Sequence, residues 1–107
     1  MNLHSFLKLA RVRAEMLKKH NIDAPSWHML EAVAIAEHDG QLLCVTELMR
    51  LREHGSPATI HRRLVSLRKT GLVLVRADQD DSRIKWLLTS EAAKDLFNEV
   101  GSAIEWA

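Results

Sequence analysis

A single cysteine, Cys44, is all the thiol this chain has. No disulfide framework can form within it, and a reducing, cytoplasmic compartment is its expected home. Long apolar runs are also missing. Lys8, Arg11 and Arg13 interrupt the N-terminal apolar residues, which argues against a secretory leader, and nothing approaches the length of a membrane span. No membrane partner is expected. The chain lacks G-x-S-x-G, a Walker loop and G-x-G-x-x-G, so nothing marks it as an enzyme. The six histidines, His4, His20, His28, His38, His54 and His61, are scattered. They form no H-E-x-x-H and no i, i+4 pair, and Cys44 lies at no metal-binding spacing from them, so neither metal nor cofactor is expected. The carboxylates of Asp80 and Asp81 fall in a turn and read as solvated.

One further absence is local. Between Ser56 and Arg76 there is no acidic residue, while Arg62, Arg63, Arg68 and Lys69 all lie in that stretch. The net charge of +1 hides this asymmetry. Residues 1–49 hold five Lys and Arg against six Asp and Glu; residues 50–85 hold nine against four; residues 86–107 hold one against four. The basic middle third calls for an anionic partner. With 107 residues, 47% hydrophobic and 27% charged, the chain has the composition of one folded domain, spanning 1–107. There are no repeats, linkers or low-complexity segments.

Leu3, Phe6, Leu7, Ala10, Ala14 and Leu17 recur at helical spacing and predict a helix over residues 3–19, with Asn21 as its stop. I-D-A-P-S-W predicts a second helix capped by Asp23, with Pro25 in its first turn and Ile22 and Trp27 placed to staple it. Gly40 ends that helix. Leu42 and Leu43 suit a short strand, and residues 45–52 a short helix with Leu48 and Leu51 inward. Glu53, His54 and Gly55 form a turn. Ser56 caps the next helix, Pro57 occupies its first position, and Gly71 stops it after about Lys69. Then the period changes. L-V-L-V-R-A and I-K-W-L-L read as strands joined by the polar D-Q-D-D-S-R turn. A last helix begins with Thr89 as cap and carries Leu96, Phe97 and Val100, with Gly101 near its end.

The expected fold is mainly α with a small β-hairpin, in the order helix, helix, short strand, helix, helix, strand, strand, helix. That is a winged helix-turn-helix. The helix-turn-helix covers 45–69, the wing 72–88, and terminal helices cover 1–20 and 90–107. On a helical wheel Ile60, Leu64 and Leu67 fall together as the core face. Ala58, His61, Arg62, Val65, Ser66 and Lys69 collect opposite. Small residues at the helix start permit close approach to a major groove, and Arg62 suits bidentate pairing with a guanine edge. Val65 suits contact with a thymine methyl. Arg63, Arg68 and Lys69 suit phosphates, as does the helix N-terminus. The ordinary alternative is a solvated basic face.

The stretch from Ile22 to about Val100 resembles the winged-helix DNA-binding region of the MarR family of bacterial regulators. S-P-A-T-I-H-R-R-L-V-S-L-R-K-T-G-L-V sits where that family has its recognition helix, and D-S-R-I-K-W-L-L-T-S-E-A-A-K is similar to its wing and the opening of its next helix. The resemblance implies that Ser56, Ala58, Thr59, His61 and Arg62 face DNA, and Pro57 at the helix start is a candidate DNA-binding residue beside them. It implies that Asp81 braces the wing and Arg83 enters the minor groove, where groove width and negative potential favour arginine. Two departures bear on these roles. Arg63 stands where a leucine is usual. The second wing strand is about one residue short, so Arg76 or Lys85 can share the role of Arg83. The last helix stops at Ala107, so the family's second C-terminal helix is expected to be missing.

The expected function is sequence-specific binding of double-stranded DNA in transcriptional regulation, by a homodimer on a pseudo-palindromic site. Leu3, Phe6, Leu7, Leu17, Phe97, Val100, Ile104 and Trp106 are the candidate dimer residues. The alternative is a winged-helix module that docks on protein without reading sequence. Trp27 and Trp86 are expected in the core. Cys44 is expected to be a small buried apolar residue, with redox sensing as the sharper possibility.

Overall fold

The structure, a computed structural model, describes residues 2–104. Five α-helices and one hairpin follow one another as α1 (Leu3–Lys19), α2 (Ala24–His38), α3 (Val45–Met49), α4 (Pro57–Lys69), β1 (Val73–Ala77), β2 (Lys85–Thr89) and α5 (Glu91–Gly101). A 3-10 turn, Arg52–His54, links α3 to α4, and another, Ser102–Ile104, follows α5. No helix among the described residues is long and apolar enough to cross a membrane.

Side-chain caps set the helix starts. Asn2 Oδ1 accepts from the Ser5 amide at 2.8 Å, and Asp23 Oδ1 from the Ser26 amide at 2.7 Å. Each satisfies a backbone N–H that the helix itself leaves unpaired. The Ser26 amide also holds the Asp23 carboxyl below its ordinary range. Asn21, with φ 54°, turns the chain between α1 and α2.

The core lies where α2, α3, α4, the hairpin and α5 converge. Met29, Leu30 and Val33 of α2 meet Leu48, Ile60, Leu64, Leu67, Leu87 and Ala93 there, all buried. Burying a side chain of this size contributes about 1.5–3 kcal/mol relative to leaving it in water. The helical spacing of Ile60, Leu64 and Leu67 thus fixes which face of α4 points outward. The strands pair antiparallel from Val73↔Thr89 to Ala77↔Lys85. Val73 and Leu87 are buried, Val75 is half-buried, and Leu74 and Arg76 point to the exposed face.

Several expectations shift. The short strand at Leu42 and Leu43 contracts to one bridge, Cys44↔Trp86, supported by the Leu87 amide donating to the Leu43 carbonyl at 2.9 Å. Cys44 is half-buried and opens α3, its amide donating to Glu47 Oε1 at 3.0 Å. Trp27 is in the core, with its ring 4.7 Å from that of Phe97, but Trp86 is only half-buried on the hairpin's outer side. The cap of α5 is Ser90, not Thr89. Ser90 Oγ accepts from the Ala93 amide at 3.1 Å and donates to the Gly71 carbonyl at 2.6 Å. Thr89 ends β2, and its hydroxyl and amide both donate to Glu37 Oε1 on α2.

α1 lies against α5 and the 3-10 turn that follows it. This packing divides the residues expected at a dimer interface. Val100 is buried in the chain's own core, Leu17 and Phe97 pack against that core, and little of Val100 is left to offer a second copy. Leu3, Phe6, Leu7 and Ile104 are 73%, 49%, 50% and 38% exposed. Trp106 lies outside the described residues.

Candidate nucleic-acid interface

The outward face of α4 is built by its two ends and its apolar stripe. At the start, Ser56 Oγ accepts from the Thr59 amide at 3.2 Å and donates to Thr59 Oγ1 at 3.0 Å. At the end, the Thr70 hydroxyl donates to the Ser66 and Leu67 carbonyls, and Gly71 takes φ 76°. Between them Pro57, Ala58, His61, Arg62, Val65, Ser66, Arg68 and Lys69 are exposed, and Thr59 is half-buried.

The two flanks of this face differ. Toward the hairpin, His61, Val65 and Arg68 line a cleft of about 490 Å³ together with Lys85 of the wing. Val45, Leu64, Val75 and Ala77 form the rest of its lining. The cleft thus carries two permanent cations on an apolar floor. Toward the other side, Ser66 lines a separate pocket with His20, Asp23 and Thr70. Arg63 is set apart from the other basic groups. Its Nη1 donates to the His54 carbonyl at 2.7 Å, across nine residues, and its side chain is half-buried beneath Gly55. Among the described residues Arg62, Lys69, Arg68 and His61 make no side-chain hydrogen bond or ion pair on the open face; Arg63 is engaged internally.

The wing turn is organised by two carboxylates. Asp78 Oδ2 accepts the Asp80 and Asp81 amides at 3.0 and 3.1 Å, and Asp78 Oδ1 accepts Trp86 Nε1 at 2.9 Å. Asp81 accepts the Arg83 amide and also both Nε and Nη2 of Arg83, each at 3.0 Å. That fork-to-fork pairing orients a guanidinium whose side chain is 89% exposed. The Trp86 indole N–H chiefly holds Asp78 below the usual carboxylate range; the Arg83 guanidinium does the same to Asp81. The tip therefore presents Arg83 on a fixed stem. Lys85 is on the face turned to α4, whereas Arg76 lies opposite Trp86 on the outer face.

Sequence reasoning missed three contributors. Asp78 read as one acid among several in a turn, although Asp-x-Asp spacing suits a side chain capping the amides two and three residues on. Glu37 ties α2 to the end of the wing from 52 residues away, and no local signal marks it. His54 reads only as part of a turn, yet it is 6% exposed, its ring 4.8 Å from that of His28. Among the described residues no group of three or more His, Cys, Asp and Glu side chains is placed to hold a metal ion.

No family model and no curated protein matches the chain. Solved structures do. A MepR mutant from a multidrug resistant S. aureus clinical isolate superposes with TM-score 0.71 at 18% identity, over 87% of this chain and 65% of that one. A second S. aureus MepR mutant, bound to oligodeoxyribonucleotide, gives TM-score 0.73 at 17% identity, over 98% and 78%. An E. coli MarR mutant complexed with operator DNA gives 0.68 at 17% identity, over 94% and 69%. The likeness is one of fold: mostly helical, with a two-stranded antiparallel hairpin, the winged-helix architecture of MarR-family structures. This chain spans 65% of the length of the first of these proteins.

Proposed function

We propose that this winged-helix chain is a double-stranded DNA-binding transcriptional regulator rather than an enzyme, with α4 in the major groove and the hairpin tip in the minor groove. The observation that carries the reading is the open face of α4. It is basic and free of acid, and it runs into a cleft where His61 and Arg68 meet Lys85 of the wing. Arg62 and His61 lie on the part of that face suited to base edges, with Ser56, Pro57, Ala58 and Thr59 allowing close approach. Arg68, Lys69, Ser66 and Lys85 take phosphates, and Arg76 adds charge on the wing's outer side. Arg83, held by Asp81, is the minor-groove residue. MepR and MarR structures of the same fold contain an oligodeoxyribonucleotide and operator DNA, which supports the assignment.

The active species in this reading is a homodimer. Leu3, Phe6, Leu7 and Ile104 supply its apolar surface, and two copies of α4 meet half-sites about 10 base pairs apart on a pseudo-palindrome. The test is enrichment of bound duplexes from a random pool at near-physiological salt. An inverted repeat is expected. A single half-site keeps sequence reading and removes the dimer. Retention only at low salt, with no enriched sequence, leaves plain electrostatics and favours a protein-docking module.

A further inference from the structure

The turn that delivers the chain into α4 is more than a connector. His54 closes the 3-10 turn with its carbonyl facing Arg63 Nη1 at 2.7 Å and its ring 4.8 Å from that of His28 on α2. The next residue, Gly55, has φ 116°, a conformation that side chains rarely adopt. A Cβ there would lie 3.2 Å from Thr59 Cγ2 and 3.5 Å from Arg63 Nη1. Arg63 therefore spans the joint between the turn and α4, close against Gly55.

We infer that this joint is a proton-sensitive latch: Arg63 positions α4 by holding the His54 carbonyl, and a proton on the His54 imidazole breaks that hold and lowers affinity for double-stranded DNA. The groups facing His54 make a charged ring unwelcome. His28 stands opposite on α2, and the Arg63 guanidinium reaches in from α4. Glu53, on the same turn, is the one acid that favours the charge, and Asp23 at the cap of α2 faces Arg63. Burial, ahead of His28 and Arg63, holds the His54 imidazole below its ordinary value of 6.5. The charged ring gains solvation by swinging out, and Gly55 is the residue that can follow such a rotation.

The sign follows from linkage. A histidine held below its ordinary value stabilises the closed turn fully above about 6.5, and that contribution is lost as pH falls toward the folded-state value. Falling pH thus opens the latch.

The affinity half of this inference rests on the DNA-binding reading; the latch itself does not. Two measurements separate them. In the free protein, histidine and amide resonances are followed by NMR from pH 7.5 to 5. The His54 imidazole and the amides of residues 54–59 are expected to move with one midpoint, and Arg63→Met is expected to abolish the shared movement while Arg63→Lys restores part of it. Amides that stay still while His54 titrates would overturn the latch. In the second measurement, affinity for the enriched duplex is compared in the unaltered protein and His54→Gln. The unaltered protein is expected to lose severalfold more affinity between pH 7.5 and 5.5 than His54→Gln. Identical pH profiles would overturn the affinity claim. Failure to enrich any duplex defeats the DNA reading, while the NMR result still decides the latch.

Discussion

The two flanks of α4 carry the same kind of side chain and use it differently. On the wing side, Arg68 and His61 open into a cleft shared with Lys85. On the turn side, Arg63 is half-buried and donates to the His54 carbonyl. In sequence Arg63, Arg68 and Lys69 look equivalent as phosphate ligands. What separates them is an unpaired acceptor elsewhere in the chain. The His54 carbonyl, which makes no ladder bond, accepts from Arg63 Nη1 at 2.7 Å, and a charge-assisted bond of this kind is stronger than one between neutral groups. A basic residue type therefore marks a side chain as open to an anionic partner only where the fold offers it no internal acceptor.

Breaking the support common to both flanks gives the largest effect. Ile60→Ala empties a fully buried site beneath α4 and should cost about 2–5 kcal/mol in denaturant unfolding. Arg63→Met is intermediate. Loss of the bond to His54 should cost about 1–3 kcal/mol of stability. In DNA binding it should lower affinity with little change in the salt slope, because no phosphate contact is lost. Arg68→Ala inverts that pattern. Stability should stay within about 0.5 kcal/mol of the parent, while the slope of log affinity against log salt should fall by about 1. A loss of salt slope in Arg63→Met, or a loss of stability in Arg68→Ala, would erase the distinction between the flanks. The smallest effect is on the wing. Asp78 and Asp81 are held below their ordinary value of 3.8, so their support is complete above it and is lost as pH falls through the lowered values. The Trp86 indole N–H resonance should keep its bonded shift at pH 5 and lose it only in stronger acid.

The helix-turn-helix and hairpin were legible because their signals are local. Ser56 and Pro57 start α4, Gly71 stops it, and Ile60, Leu64 and Leu67 orient it. The hairpin turn shows as a polar run between apolar ones. Illegible features depend on partners far away in the chain. Thr89 looks as good a cap as Ser90, but its hydroxyl is engaged by Glu37 across the molecule. Trp86 looks like a core residue, yet its register opposite Arg76 puts it on the outer face, where Asp78 takes its N–H. Val100 and Phe97 carry the same stripe as a dimer helix would, and only the position of α1 and α2 shows that the chain uses them itself. Arg63 belongs to this group. Its partner is nine residues back and is a backbone atom that any residue would provide.

The most direct test of the central claim is the random-pool selection carried out in parallel with the parent chain, Arg62→Ala and Arg63→Lys. The parent is expected to yield one motif, Arg62→Ala the same motif with a single base position relaxed, and Arg63→Lys the full motif with weaker binding. No motif from the parent, or a motif that Arg62→Ala leaves unchanged and Arg63→Lys relaxes, would contradict that claim.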